Sequence, residues 1–279
     1  MSLPPLREVV AKHGLEARRS LGQNFLFDLN LTAKIARAGG PYDGTSVLEI
    51  GPGPGGLTRG LIEAGAARIV AVERDRRCLA ALGEIAEAYP GRLVVVEGDA
   101  LDFDPLTRID GPIKIVANLP YNIATPLLVR WLHAVHESPG RIAGMTLMFQ
   151  KEVAARLVAR PATSAYGRLS VLTQWLSEAK ALFDIPPAAF VPPPKVVSTV
   201  VGFCPRPEPA AEAALDALER VVATAFNQRR KMLRSALRPL GDANGLLASA
   251  GIEPTRRAET LTVEEFCALA RVFSAAARS

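Results

Sequence analysis

Four consecutive residues, Asn118-Leu119-Pro120-Tyr121, carry groups suited to chemistry on a planar heterocycle. They follow an apolar run at 113–117, which predicts a buried strand of a parallel sheet. Open α/β sheets bind ligands at the carboxyl ends of their strands. At such a place an amide oxygen can accept a hydrogen bond from an exocyclic amino group, and a tyrosine ring can stack on a base. The tetrapeptide also fits a simple proline turn with Tyr121 in ordinary packing.

A glycine-rich turn lies earlier in the chain, between a predicted strand at 46–50 and a predicted helix at 57–64. Gly51, Gly53 and Gly56 match Gly-x-Gly-x-x-Gly, and Glu73 ends the next strand at the spacing of a ribose-binding carboxylate. The glycines allow a ligand to approach the backbone closely. This pattern fits a dinucleotide, S-adenosylmethionine or, less specifically, a tight turn without a ligand.

Two further features favour S-adenosylmethionine over a dinucleotide. Pro52 and Pro54 stiffen the turn and remove backbone N–H groups that a pyrophosphate would use. Asp99 follows the predicted strand at 93–97, where its carboxylate could accept a hydrogen bond from an adenine amino group. Asp99 could instead be a turn or helix-capping residue. The three histidines suggest no hydride-transfer site.

The composition is that of an ordinary globular protein with a mild basic excess. Of 279 residues, 49% are hydrophobic and 22% charged, and the net charge of +5 is compatible with an anionic partner. Three widely separated cysteines predict no metal site and fit a reducing compartment. No signal peptide or membrane-spanning run is evident, so we expect a cytoplasmic protein without membrane contact.

Strand and helix patterns alternate along the first two thirds of the chain, which predicts an α/β fold with a doubly wound, Rossmann-like sheet. Residues 169–176 and 195–203 are predicted as later strands or buried segments. The three prolines between 205 and 209 indicate an extended linker, and the residues beyond it are predicted to be helical. We therefore predict a domain at 1–205 and a smaller all-helical domain at 206–279. The predicted strands are 46–50, 68–72, 93–97, 113–117 and 142–150, and the predicted helices are 5–20, 30–38, 57–64, 76–88, 124–136 and one ending at 158.

A basic segment, residues 225–238, is predicted as one amphipathic helix of the second domain. Arg230, Arg234 and Arg238 are four residues apart and would form a stripe, which Arg229 and Lys231 flank. No acidic residue lies between 226 and 240 to pair with these cations. An unpaired basic stripe suits contacts with phosphates, although a solvated helix face is the common alternative.

Several motifs in succession resemble those of the rRNA adenine N6-dimethyltransferases, in particular the bacterial enzymes of small-subunit (16S) rRNA. The resemblance covers nearly the whole chain. Each motif alone is weak to moderate evidence, and their common order and spacing make the resemblance specific. The motifs are Leu-Gly-Gln-Asn-Phe-Leu at 21–26, Glu-Ile-Gly-Pro-Gly at 49–53, Val-Glu-Arg-Asp at 72–75, Gly-Asp-Ala at 98–100, Asn-Leu-Pro-Tyr at 118–121, Phe-Val-Pro-Pro-Pro-Lys-Val-Val-Ser at 190–198 and residues 226–233.

The resemblance implies a methyltransferase domain that uses S-adenosylmethionine to dimethylate N6 of adenine. Asn118 and Leu119 would accept hydrogen bonds from N6, and Tyr121 would stack on the target base. Phe190 could close the other face of the base, or it could be a hydrophobic plug beside the proline loop. The residues implied to bind the cofactor are Asn24 and Leu26 in a segment that folds over it, Gly51 at the methionine part, Glu73 at the ribose, Asp99 and Ala100 at the adenine, and Asn118 beside the methyl group.

The implied partner is small-subunit rRNA within an immature small ribosomal subunit, where two adjacent adenosines near the 3′ end are modified. The second domain would bind RNA through Arg229, Arg230, Lys231, Arg234 and Arg238, with no role for DNA, and we expect a monomer. Alternatives are a large-subunit rRNA methyltransferase of the antibiotic-resistance type, a non-catalytic nucleic-acid-binding factor on the same scaffold, and an NAD-dependent oxidoreductase.

Overall fold

The computed structural model describes residues 3–18 and 22–276 and divides the chain into two compact units. The first consists of Met1–Ala154 and Lys180–Pro205, and the second of Ala155–Ala179 and Arg206–Ser279. The domain boundary was predicted at residue 205, and the last change from the first unit to the second lies between Pro205 and Arg206. Residues 155–179, by contrast, cluster with the C-terminal helices. Within that unit the Trp175 indole donates to the Ala211 carbonyl (2.8 Å), and Tyr166 packs edge-on against Phe226.

The strands of the described residues are β1 Phe25–Leu26, β2 Ser46–Ile50, β3 Arg68–Glu73, β4 Leu93–Glu97, β5 Ile113–Ala117, β6 Ile142–Gln150, β7 Ser177–Ile185, β8 Phe190–Val191 and β9 Ser198–Pro205. They form a seven-stranded sheet in the order β4-β3-β2-β5-β6-β9-β7 and a two-stranded sheet of β1 and β8. Strands β2 to β6 are parallel, and β9 pairs antiparallel with β6. The fully buried β2, Ser-Val-Leu-Glu-Ile, illustrates why central parallel strands form apolar runs.

This strand order confirms the predicted doubly wound architecture and locates its ligand-binding edge. The chain runs from β2 outward to β3 and β4, then returns to place β5 on the other side of β2. Ligands of open α/β sheets bind at such a switch point, beyond the carboxyl ends of the strands. The glycine turn after β2 and the Asn118 motif after β5 both lie there.

Helices connect the strands of the first unit and make up most of the second. Aspartates cap several of them; the Asp28 carboxylate, for example, accepts from the backbone N–H groups of Asn30 and Leu31 at the start of α2. Among the residues described, no helix has both the length and the apolar character of a membrane span. The helices are α1 Leu6–Lys12, α2 Leu29–Gly39, α3 Gly56–Glu63, α4 Arg76–Ala88, α5 Pro105–Arg108, α6 Tyr121–Glu137, α7 Lys151–Leu157, α8 Arg168–Leu176, α9 Leu215–Asn227, α10 Leu233–Ala236, α11 Ala243–Ser249 and α12 Val263–Ala276.

Two predicted elements differ from the structure, and one strand of the seven-stranded sheet was not predicted. The helix predicted at 5–20 is limited to α1, and residues 19–20 lie outside the described part of the chain. Residues 169–176, predicted as a strand or a buried segment, are largely buried but form helix α8, so only the strand alternative was wrong. An apolar run without turn signals fits a buried helix as well as a strand. Strand β7 was not predicted, because it is an edge strand with several exposed residues, and Ala, Glu, Lys and Leu favour helices.

The basic segment is not one helix, so this prediction was wrong. Helix α9 ends at Asn227, and the next helix, α10, begins only at Leu233. Between them the Lys231 N–H donates to the Gln228 carbonyl, and Met232 forms an isolated bridge with Arg257. Backbone pairing with a distant segment overrides the helical pattern, so Arg230, Arg234 and Arg238 do not form a stripe on a single helix.

Candidate active site

A cavity of about 270 Å³ lies at the carboxyl ends of β2, β3, β4 and β5 in the first unit. The cavity is lined by every residue predicted to bind the cofactor and by three of the four predicted catalytic residues. Those residues are Asn24, Leu26, Gly51, Glu73, Asp99, Ala100, Asn118, Leu119 and Tyr121.

The turn after β2 depends on glycine, because its backbone has positive φ angles and its neighbours are close. Gly53 has a φ of +56°, and a Cβ there would lie 2.8 Å from the Phe25 ring. At Gly55, with a φ of +88°, a Cβ would lie 2.3 Å from the Ile85 side chain. Glycine is therefore required at both positions, and Gly51 and Gly53 of this turn line the cavity.

Glu73, at the end of β3, is held by the same turn. Its carboxylate accepts hydrogen bonds from the Gly53 N–H (2.9 Å) and the Asp75 N–H (2.7 Å). The side chain is buried, and this burial raises the pKa of Glu73 above its ordinary value, while the backbone N–H donors act against the shift. A carboxylate fixed in this way retains acceptor capacity for ligand hydroxyl groups at the cavity wall.

Asp99 has both carboxylate oxygens engaged. Oδ1 accepts from the Leu101 N–H (3.0 Å), which is the turn-stabilising role that the sequence left open. Oδ2 accepts from Nη1 of Arg74 (3.0 Å), another residue of the cavity wall. The aspartate is therefore both a turn residue and part of the candidate site.

Asn118 is oriented by the N-terminal segment. Its Nδ2 donates to the Asn24 carbonyl (3.2 Å), which leaves Oδ1 as the acceptor directed away from that bond. Within 3–18 and 22–276, the structure gives this oxygen no hydrogen-bond partner. The nearby Tyr121 hydroxyl contacts the buried Ser198 hydroxyl (2.6 Å), so the ring is anchored at its tip. Partial burial raises the pKa of Tyr121, and the Ser198 bond opposes this shift.

Residues 22–26 are tied to the sheet by side-chain and backbone contacts. Gln23 donates through Nε2 to Asp75 Oδ2 (2.9 Å). The Arg77 guanidinium also binds Asp75, and it holds the pKa of that carboxyl down at about 2. Leu26 then pairs with Phe190 between β1 and β8. Leu21, the first residue of the predicted motif, lies outside the described residues.

Phe190 is not placed where the sequence led us to expect it. Its side chain is only 2% exposed, belongs to the hydrophobic core beside Ile185 and Val200, and does not line the cavity. Stacking on a base requires an accessible ring face. In this structure Phe190 instead supports Leu26 and the β1–β8 pair.

Glu49 is a site residue that the sequence analysis missed. It lines the cavity from within β2 and is 1% exposed, and its Oε2 accepts from the Thr58 hydroxyl (2.7 Å). Oε1 has no hydrogen-bond partner among the described residues. Burial raises the pKa of Glu49 to about 8, with a further contribution from the negative charge of Glu73. The available signal was an acidic residue within an otherwise apolar strand, directly before the glycine turn.

The predicted RNA-binding residues are all in the second unit, but they differ in their contacts. Arg229 is engaged, since it pairs with Glu259 (Nε–Oε2 2.7 Å) and donates to the Thr163 carbonyl. The other four are exposed and make no ion pair with any described residue. We call them the basic cluster: Arg230, Lys231, Arg234 and Arg238. No group of metal-ligating side chains was found within the described ranges.

The switch-point cavity, with carboxylates after β3 and β4 and an amide after β5, has the composition of the Rossmann-like methyltransferases. Comparison with known proteins shows to which family within this class the chain belongs. Residues 14–275 match the family described as ribosomal RNA adenine dimethylase. The chain therefore belongs to this family, as its motifs indicated, and its cofactor is S-adenosylmethionine.

The relatives agree with this assignment. The chain is 63% identical to the ribosomal RNA small subunit methyltransferase A of Rhodospirillum rubrum over 274 residues, which are 98% of this chain and 94% of that relative. The solved structure of the 23S rRNA methyltransferase ErmE is 29% identical, with a TM-score of 0.68 over 90% of this chain and all of that one. A dimethyladenosine transferase from Plasmodium falciparum, 23% identical, shares the fold with a TM-score of 0.72 over 88% and 95% of the two chains.

Proposed function

We propose that this enzyme transfers methyl groups from S-adenosylmethionine to N6 of two adjacent adenosines near the 3′ end of small-subunit (16S) rRNA. The observation that carries the proposal is the position of Asn118, which lines the same cavity as Gly51, Glu73 and Asp99 and whose amide oxygen has no hydrogen-bond partner among the described residues. The small-subunit relative, similar along nearly its full length, supports this substrate over large-subunit rRNA.

The residues of the cavity fit the cofactor. Glu73 would hold the ribose hydroxyls, and Asp99 and Ala100 the adenine. The turn at Gly51 would face the methionine part. Asn24 and Leu26 would cover the cofactor. The unpaired, buried Oε1 of Glu49 suits the cationic end of an amino acid, because a buried carboxylate without a partner is costly.

The chemical difficulty lies in the target amine, whose lone pair is delocalised into the adenine ring. When bound, S-adenosylmethionine supplies an electrophilic methyl group on a good leaving group. Asn118 Oδ1 and the Leu119 carbonyl would accept hydrogen bonds from the N6 protons, which orients the nitrogen and favours its pyramidal form. Their contribution is positioning and electrostatic stabilisation. No general base is required for attack, since the proton can leave after methylation.

Tyr121 would stack on the target base while its hydroxyl remains anchored to Ser198. We expect Tyr121→Ala to lose about 1–3 kcal/mol of base binding, seen as a higher KM for RNA. Tyr121→Phe keeps the ring and is the matched control, expected to stay close to wild type. Steady-state methylation of small subunits measures both variants. An equal loss in both would assign the effect to the hydroxyl contact rather than to stacking.

Binding of S-adenosylhomocysteine, which retains the amino-acid cation, is expected to release a proton from Glu49. The folded protein holds this proton below about pH 8. A cation beside the carboxyl favours its ionised form, so affinity should rise with pH between about 6 and 7.5. Calorimetry at pH 6.5 in two buffers of different ionisation enthalpy counts the released protons. We expect Glu49→Gln to abolish the release and the exposed Glu63→Gln to preserve it; unchanged proton release in Glu49→Gln would contradict this role.

The basic cluster is the proposed RNA-binding surface of the second unit. Its four cations are exposed and have no acidic partner among the described residues, so they are available to phosphates. Arg229 is not part of this proposed surface. Its side chain forms a hydrogen-bonded ion pair with Glu259, so we propose that it stabilises the fold of the second unit. We further propose an immature small subunit as the natural particle, a monomeric enzyme and action in the cytoplasm.

The test is methyl transfer from labelled S-adenosylmethionine to small ribosomal subunits that lack this modification, followed by mass mapping of the rRNA. We expect two adjacent N6,N6-dimethyladenosines near the 3′ end. Labelling of large-subunit rRNA instead would select the resistance-type activity of the ErmE kind. Cofactor binding without labelling of either subunit would contradict the proposed substrate.

A further inference from the structure

The cavity wall contains one charged residue to which neither the fold nor the proposed chemistry gives a role. Arg74 follows Glu73 directly, at the end of β3, and lines the same cavity. Its guanidinium Nη1 lies 3.0 Å from Asp99 Oδ2. Arg74 thus lies between the carboxylate proposed for the ribose and the carboxylate proposed for the adenine.

The ion pair between Arg74 and Asp99 is too exposed to contribute much to the stability of the fold. The Arg74 side chain is 68% exposed and that of Asp99 is 29% exposed, and pairs of this kind contribute little to folding. The contact instead fixes the orientation of the Asp99 carboxylate. Asp99 Oδ1 accepts from the Leu101 N–H and Oδ2 accepts from Arg74, so the two bonds together hold the carboxylate in one orientation, and Arg74 is the side chain that fixes Oδ2.

A carboxylate oxygen has two lone pairs and can accept from two donors at once. Arg74 occupies one acceptor site of Oδ2, and the other stays available to an exocyclic amino group. An acceptor held beforehand in its bound orientation loses less conformational freedom on binding. The bond from the Arg74 guanidinium is charge-assisted, which makes it stronger than a hydrogen bond between neutral groups.

We propose that Arg74 is a positioning residue for the adenine of the cofactor, acting through Asp99. This inference rests on the proposed function, because it takes the adenine to bind at Asp99. Arg74 does not touch the reacting atoms. Its removal should therefore weaken cofactor binding and raise the KM for S-adenosylmethionine, with kcat and the KM for RNA unchanged.

The test is calorimetric binding of S-adenosylhomocysteine and 5′-methylthioadenosine to Arg74→Met, which keeps an unbranched side chain and removes the charge. We expect Kd to rise about three- to tenfold for both ligands, as for the loss of a charge-assisted hydrogen bond. The two ligands share the 5′-thioadenosine part and differ in the amino-acid chain, so equal factors exclude the amino-acid chain as the origin of the effect. An effect on S-adenosylhomocysteine alone would overturn the assignment to adenine.

The neighbouring Arg76 provides a matched control. It forms a comparable exposed ion pair with Glu97 at the end of β4 but does not line the cavity. Arg76→Met should bind both ligands like the wild type. If Arg74→Met binds as tightly as Arg76→Met, the proposal is wrong, whereas failure of the wild type to bind S-adenosylhomocysteine would instead contradict the proposed function.

A double-mutant cycle tests whether Arg74 acts through Asp99. In an Asp99→Asn background, we expect Arg74→Met to change Kd less than about twofold, because the charged partner is already removed. An undiminished effect in that background would show that Arg74 acts directly on the ligand and would overturn the positioning role.

Discussion

Replacing Asn118 with alanine is expected to lower methyl transfer by about 10²- to 10³-fold, the usual effect of deleting one preorganised polar group at a reacting centre. The amide oxygen of Asn118 has no partner among the described residues, so its proposed use is to accept from N6 of the target adenine. Single-turnover methylation of small subunits measures the loss directly. The binding of S-adenosylhomocysteine should change little, because other residues hold the adenosine.

The matched control is Asn30→Ala, an exposed asparagine of α2 that does not line the cavity. It should methylate at the wild-type rate. Wild-type turnover in Asn118→Ala would rule out the proposed chemistry. A loss of S-adenosylhomocysteine binding as large as the loss of rate would instead assign Asn118 to holding the cofactor and residues 22–26.

Neutralising the basic cluster should produce the second large effect, on RNA binding alone. With all four cations replaced by alanine, we expect the affinity for small subunits at low salt to fall about 10²- to 10³-fold. The slope of log K against log salt should also become shallower by about 0.7–0.9 for each phosphate that is no longer neutralised. Filter binding over a salt series measures both quantities, while the affinity for S-adenosylhomocysteine should stay unchanged.

A charge-matched control separates local interactions from net charge. Arg37, Arg68, Arg108 and Lys180 are exposed cations of the first unit, and replacing them with alanine lowers the net charge equally, from +5 to +1 by removing four charges. This variant should keep most of its RNA affinity. Equal losses in the two variants would mean that net charge, rather than the basic cluster, controls binding.

The sequence by itself predicted the five parallel strands of the sheet and most residues of the candidate cofactor cavity, because both depend on local patterns. Central parallel strands are buried on both faces and form apolar runs, as at Ile113–Ala117. The turn after β2 needs positive φ angles, which glycine adopts most readily. The carboxylate of Glu73 and the amide of Asn118 then follow at strand ends, where the topology of this sheet gathers ligand-binding groups.

Only the tertiary structure decided features that depend on partners distant in sequence. The basic segment has a helical sequence pattern. The helix is nevertheless interrupted, because the backbone N–H of Leu233 donates to the carbonyl of Arg256, a residue distant in sequence. Phe190 has an aromatic ring of the kind that stacks on bases. It lies in the hydrophobic core instead, where its strand pairs with Leu26. The raised pKa of Glu49 results from burial, which no local pattern reveals.

The orientation of Asn118 illustrates the same limit within the active site. The sequence identified this amide, but its direction is set by the carbonyl of Asn24, a residue 94 positions earlier in the chain. That bond leaves Oδ1 rather than Nδ2 as the free group, and therefore an acceptor for an amine. Residue types and spacing indicated which groups meet at the sheet edge. Packing of the N-terminal segment against that edge decided which atom of the Asn118 amide has no partner among the described residues.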